Sequence, residues 1–126
     1  GAIVNFSTGS TRTRLPMRTP YVVSKMAVEG LTLNAARELG PHGIRVNAIL
    51  PGMIDNARMR GIVENKAKAE GRTPDAVEAD YLAYISLRTK IRPEELSAMV
   101  EFLASGPGAK ITGELIAVSG NVEWET

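Results

Sequence analysis

The chain opens on an apolar run, Ala2 to Phe6, that stops at Ser7-Thr-Gly-Ser-Thr11. A short apolar run bounded by turn residues reads as a buried strand, and small hydroxyl residues favour a loop after it. Residues 12–19, with Arg12, Arg14, Arg18 and Pro16, read as an exposed connection that ends in Thr19 as N-cap and Pro20 in a first helical turn. From Pro20 to Leu39 the pattern is one helix, apolar or small nearly all round through Val22, Val23, Met26, Val28, Leu31 and Leu33. Such a helix wants cover on two sides: a sheet, and a partner helix from elsewhere in the chain or from a second subunit. Gly40-Pro-His-Gly43 stops it, and Ile44 to Leu50 forms a second strand ending in Pro51-Gly52. A crossover of this length joins parallel strands.

The pattern changes at residues 53–90, which are charged and helix-prone, broken at Gly71-Arg-Thr-Pro74, and apolar along Tyr81, Leu82, Tyr84, Ile85 and Leu87. It reads as a two-helix insertion at the carboxyl end of a strand, where a substrate lid or a purely structural hairpin would sit. Pro93 to Ala104 carries Leu96, Met99, Val100 and Leu103 at helical spacing, with Gly106-Pro-Gly108 after it. Glu114 to Val118 is a third strand and Ser119 to Thr126 a tail that ends on acidic residues and Trp124, within reach of a neighbouring subunit. The order of elements predicts an α/β fold. Asn5 and Asn47 are placed to tie down strand ends, and Ser24 to pack the helix.

Composition narrows the function. With 126 residues, 44% of them hydrophobic, the chain fits one globular domain. Its 15 basic and 14 acidic residues are interspersed, which gives no reason to invoke nucleic acid. The absence of Cys excludes a disulfide framework, a thiolate nucleophile and a Cys-based zinc site, and the lone His42 sits in a turn as a surface residue. A metal site is not expected. Neither a membrane span nor a signal peptide is visible, so the expected location is cytoplasmic. The chain also begins inside an apolar strand, with no leading polar residues.

Candidate chemistry centres on the long helix. Tyr21 and Lys25 stand four residues apart, on one face and roughly 6 Å from each other. A phenol ionises near pH ~10, and an ammonium beside it favours the phenolate, so the pair suits general acid/base work.

The ordered set of a strand into a Ser/Thr loop, Tyr-x-x-x-Lys, Gly-Ile-Arg-Val-Asn into Pro-Gly, a charged lid, Pro-Glu-Glu-Leu and Ile-Thr-Gly resembles the carboxyl-terminal half of the short-chain dehydrogenase/reductase family. The resemblance spans essentially all of residues 1–126 and implies the carboxyl-terminal part of a doubly wound, Rossmann-like parallel sheet with the lid at about 53–90. It implies hydride transfer between a nicotinamide and a small-molecule alcohol or ketone, with Tyr21 as acid/base. Lys25 would favour the Tyr21 phenolate and hold the ribose hydroxyls. The family's substrate-polarising Ser falls on Thr8, with Ser10 as substitute and Ser7 third. Ser7, Ser10 and Thr11 could equally be ordinary caps of loop backbone. Pro51, Gly52, the Ile54 backbone and Asn56 would lie against the cofactor, Asn56 standing where many relatives have Thr.

The motif that binds the adenine end, and the residue choosing NAD or NADP, are missing from this stretch, so the chain reads as a fragment that is inactive alone. A non-catalytic binding or assembly protein of the same fold, and an isomerase, epimerase or dehydratase with retained cofactor, remain open alternatives. Family habit implies a homodimer or homotetramer of the full-length form. Tyr81, Tyr84 and Met59 imply a partly apolar substrate, and Arg58 or Arg60 could meet a carboxylate or stay solvated.

Overall fold

The computed structural model describes residues 1–13 and 15–123, so Arg14 and Trp124 with its proposed subunit contact lie outside the described residues. The elements are β1 (Ala2–Phe6), α1 (Ser10–Thr13), α2 (Thr19–Leu39), β2 (Arg45–Pro51), α3 (Ala57–Glu70), α4 (Pro74–Ala83), α5 (Pro93–Ala104) and β3 (Leu115–Val118). The three strands are parallel in the order β1-β2-β3, with Val4 opposite Asn47 and Ile49 opposite Ile116.

Burial explains the centre of the sheet. Val46 to Leu50 is buried on both faces, as a central parallel strand must be. Its one polar member, Asn47, is satisfied by donating to the Ile111 carbonyl (2.8 Å) and accepting from the Glu114 amide (3.0 Å), which ties down the approach to β3. Asn5 likewise donates to the buried Thr32 hydroxyl of α2 (3.0 Å). Because neighbouring side chains on a strand point to opposite faces, α2 lies on the Asn5 side and α5 on the other. There Leu96 and Leu103 pack with Ile49 and Ile91, and Val4, Ile116 and Val118 close around them.

Several expectations change. Thr19 is the first helical residue of α2 rather than its cap; Arg18 takes the cap position without a side-chain hydrogen bond, and Pro20 fits the first turn because it lacks the N–H that turn would leave orphaned. The loop after β1 shortens to residues 7–9: the Ser10 amide donates to Thr8 Oγ1 (3.3 Å) and the Arg12 and Thr13 amides donate to the Gly9 carbonyl (3.0 and 3.3 Å), and these bonds wind Ser10–Thr13 into a helical turn. Ser24 is exposed, its hydroxyl donating to the Tyr21 carbonyl (2.7 Å), so it does not pack the helix. Among the described residues no long helix covers the outer side of α2, where Val23, Met26, Leu31 and Leu33 are exposed. The stretch after β3 is no free tail. Ile85 and Val122 pair antiparallel, with the Ser86 amide on the Asn121 carbonyl (2.9 Å) and the Glu123 amide on the Tyr84 carbonyl (2.8 Å).

Candidate active site

The carboxyl ends of the strands form a floor that continues the sheet's hydrogen bonding past its strands. The Ser7 amide donates to the Ile49 carbonyl (2.9 Å), Gly9 to Pro51 (3.0 Å) and Gly52 to Val118 (3.0 Å). At Gly52 a Cβ would come 2.7 Å from Ser119 Cα, so only glycine lets the end of β2 approach that backbone.

Two adjoining cavities stand on this floor. One, of about 190 Å³, is lined by Thr8, Ser10, Pro51 and Gly52 together with Leu15, Met53, Met59, Ile62, Tyr81, Ile85 and Val122. The other, about 300 Å³, holds Tyr21, Ile54, Asn56 and Arg58, and shares Ser10, Arg18, Gly52 and Met53 with the first. The fold therefore brings Thr8, Ser10, Tyr21, Pro51, Gly52, Ile54 and Asn56 to one cleft. Among the described residues no Asp or Glu lines either cavity, whereas Arg18 and Arg58 do.

Lys25 lines neither cavity; one turn beyond Tyr21, it directs its ammonium to the Phe6 carbonyl at the end of β1 (3.1 Å). An ammonium has three donors. Thr8 and Ser10 hydroxyls stand 3.4 Å apart. The Asn56 side-chain oxygen caps α3 by accepting from the Met59 amide (2.9 Å), and its NH₂ can donate to a ligand. Ile54 is held by a parallel bridge to Ile91.

The insertion forms the expected two helices, α3 and α4, closed on Val63, Ala67 and Val77. Met59, Tyr81 and Ile85 line the cleft, whereas Tyr84 and Leu87 do not. Arg58 lines it, while Arg60 is paired with Asp55 (2.9 Å). The base of the hairpin is pinned by Lys90, which meets Glu78 (2.6 Å) and Asp55 (3.3 Å). Its hydrogen bond to Lys90 holds the Asp55 carboxyl below the usual carboxylate range, and the Glu78 carboxylate holds Lys90 above the usual amine range.

Sequence reasoning missed Glu29. Its carboxylate accepts from Ser7 Oγ (2.6 Å) and Thr11 Oγ1 (2.7 Å). The available signal was its spacing, four residues beyond Lys25 on the face that carries Tyr21. Among the described residues no cluster of three or more His, Cys, Asp or Glu could hold a metal ion, and no helix is long and apolar enough to cross a membrane.

A parallel sheet with helices on both faces and a cleft at its strands' carboxyl ends defines an α/β fold of the doubly wound kind. The chain belongs to the short-chain dehydrogenase/reductase family: a family model described as enoyl-(acyl carrier protein) reductase matches residues 1–122. It is 39% identical over 120 residues to an A-factor type gamma-butyrolactone 1'-reductase of Streptomyces virginiae, covering 95% of this chain and 44% of that protein. A short-chain dehydrogenase family protein from Francisella tularensis superposes with a TM-score of 0.90 at 28% identity, over 95% of this chain and 50% of that one. NAD+-bound xylitol dehydrogenase gives 0.84 at 29% identity, over 96% and 48%. The chain thus spans about half the length of the relatives it matches.

Proposed function

We propose that this chain supplies the carboxyl-terminal half of an NAD(P)-dependent oxidoreductase that moves hydride between nicotinamide and a secondary alcohol or carbonyl. One observation carries the reading: α2 presents Tyr21 to a cleft floored by Thr8 and Ser10, with Lys25 one turn behind it and anchored on Phe6. The nicotinamide, when bound, supplies or accepts the hydride. In reduction the Tyr21 hydroxyl gives its proton to the substrate oxygen, and in oxidation it receives one. Thr8 Oγ1 or Ser10 Oγ donates a hydrogen bond to that same oxygen and so stabilises the charge that develops there. With one N–H on Phe6, Lys25 keeps two for the ribose hydroxyls and the Tyr21 oxygen. Pro51, Gly52, Ile54 and the Asn56 NH₂ complete the residues that hold the nicotinamide end.

The substrate is a partly apolar carbonyl compound, since Leu15, Met53, Met59 and Ile62 surround the floor, with Arg18 and Arg58 available to an anionic group. Nicotinamide dependence draws support from the NAD+-bound relative; whether NAD or NADP serves depends on residues outside this stretch. Self-association of the complete polypeptide as a dimer or tetramer agrees with the exposed apolar side of α2.

Two measurements test the reading. Titrated with NADH and NADPH, the 126-residue chain alone is expected to show no saturable binding; tight binding of either would sink the half-site assignment. In the complete polypeptide an alcohol is oxidised with stoichiometric NAD(P)H release, and Tyr21→Phe lowers kcat by about 10²- to 10⁴-fold, the scale of a lost proton-transfer group. Full activity in that variant would overturn the role of Tyr21.

A further inference from the structure

We infer that Glu29 is a positioning residue: its carboxylate fixes the hydroxyl-bearing turn Ser7–Thr11 onto the helix that carries Tyr21, and thereby sets where Thr8 and Ser10 meet the substrate oxygen. The inference rests on the reading of the site given above.

Tyr21, Lys25 and Glu29 recur every four residues along one face of α2. Two of them grip the chain that leaves β1. Lys25 Nζ donates to the Phe6 carbonyl (3.1 Å), and Glu29 Oε1 accepts from both Ser7 Oγ (2.6 Å) and Thr11 Oγ1 (2.7 Å). Ser7 and Thr11 are each only 4% exposed, and they bracket Thr8 and Ser10 in the sequence. One carboxylate oxygen therefore clamps both ends of the segment that presents the candidate hydroxyls. Both bonds are of the short, charge-assisted type. Neither Ser7, Thr11 nor Glu29 lines the cleft, so the clamp acts on the substrate only through the residues it holds. The Ser7 and Thr11 hydroxyls are not spare copies of the substrate-facing group; they are the handles by which it is held.

The test uses the complete polypeptide, where Tyr21→Phe first reports on the site reading independently of Glu29. Glu29→Ala lowers kcat ten- to about a hundredfold, because displacement by an ångström at a reacting centre costs up to about 10²-fold. Binding of NAD(P)H, followed by fluorescence, stays within twofold, and amide hydrogen exchange speeds up at Thr8 to Arg12 while β2 and β3 keep their protection. Glu29→Gln, which retains an acceptor oxygen, recovers kcat to within about threefold of the parent. A Glu29→Ala protein with unchanged kcat, with loop exchange unchanged, or with exchange raised uniformly through the sheet overturns the inference. So does a folded Glu29→Gln protein as slow as Glu29→Ala. If Glu29→Ala does not fold, Thr11→Val and Ser7→Ala each remove one grip; each is expected to slow turnover at least threefold, and parental kcat in both would defeat the clamp.

Discussion

Gly52 and Thr8 show how differently single residues bear on this site. Gly52 has no room for a side chain, since the atom 2.7 Å from its missing Cβ is backbone, Ser119 Cα. Gly52→Ala is expected to cost roughly 1–3 kcal/mol through overpacking, read as a lower melting temperature. Thr8 and Ser10 are separable by chemistry. Thr8→Val keeps the shape and removes the hydroxyl, and is expected to lower kcat by about 10²-fold if that oxygen's donor is lost, with Ser10→Ala the milder change. Parental turnover in Thr8→Val with a slow Ser10→Ala would move the role to Ser10. The Tyr21–Lys25 pair was legible because helical spacing alone brings the two residues to one face. Glu29 shares that face and was not legible, because an acceptor's role depends on which hydroxyls a distant loop brings to it.

At the scale of elements, spacing and punctuation were enough to place the strands and the helices α2 and α5 within a residue or so, and to give the insertion as two helices, although α3 starts only at Ala57 and α4 stops at Ala83, short of the apolar residues Ile85 and Leu87. What they did not yield were structures made by hydrogen bonds between distant segments: the capped turn of α1 and the pairing of 84–87 with 120–123. The base of the α3–α4 hairpin shows such a distant tie acting through charge. Asp55 is held below its ordinary range by Lys90, so its contribution is present above the ordinary carboxylate range and is lost as pH falls through its folded value. Lys90 is held above its ordinary range, chiefly by Glu78, so its contribution is present below that range and is lost as pH rises through its folded value. The cluster of Asp55, Arg60, Glu78 and Lys90 is therefore intact across neutral pH and weakens at both extremes. Its side chains are 23–57% exposed, which keeps the effect modest. Lys90→Met is expected to flatten the acid side of the melting-temperature profile, and a profile parallel to the parent's would show that Lys90 does not hold Asp55.

Taken whole, the described residues leave apolar surface and sheet edge uncovered. Among the described residues β1 pairs only with β2, leaving an edge with Ile3 and Phe6 each 42% exposed, and α2 leaves Val23 (61%) and Leu31 (62%) open. Open edges and apolar patches of this kind favour association. Sedimentation of the isolated chain should therefore show concentration-dependent oligomers, reduced by a Val23→Glu, Leu31→Glu double change; a monomer at all concentrations would contradict this. That α2 wants a second cover was readable from its sequence; the source of that cover was not, because among the described residues no other segment carries a helix that reaches there. The stitch between Tyr84–Leu87 and Gly120–Glu123 has a further consequence, for the order of manufacture. A ribosome delivers Thr8, Ser10, Tyr21 and the α3–α4 hairpin well before the Gly120–Glu123 strip, and Val122 on it is part of the cavity wall. A nascent chain thus carries Thr8, Ser10 and Tyr21 while the wall formed by Ile85 and Val122 is still open, and that wall closes only when the strip has been made.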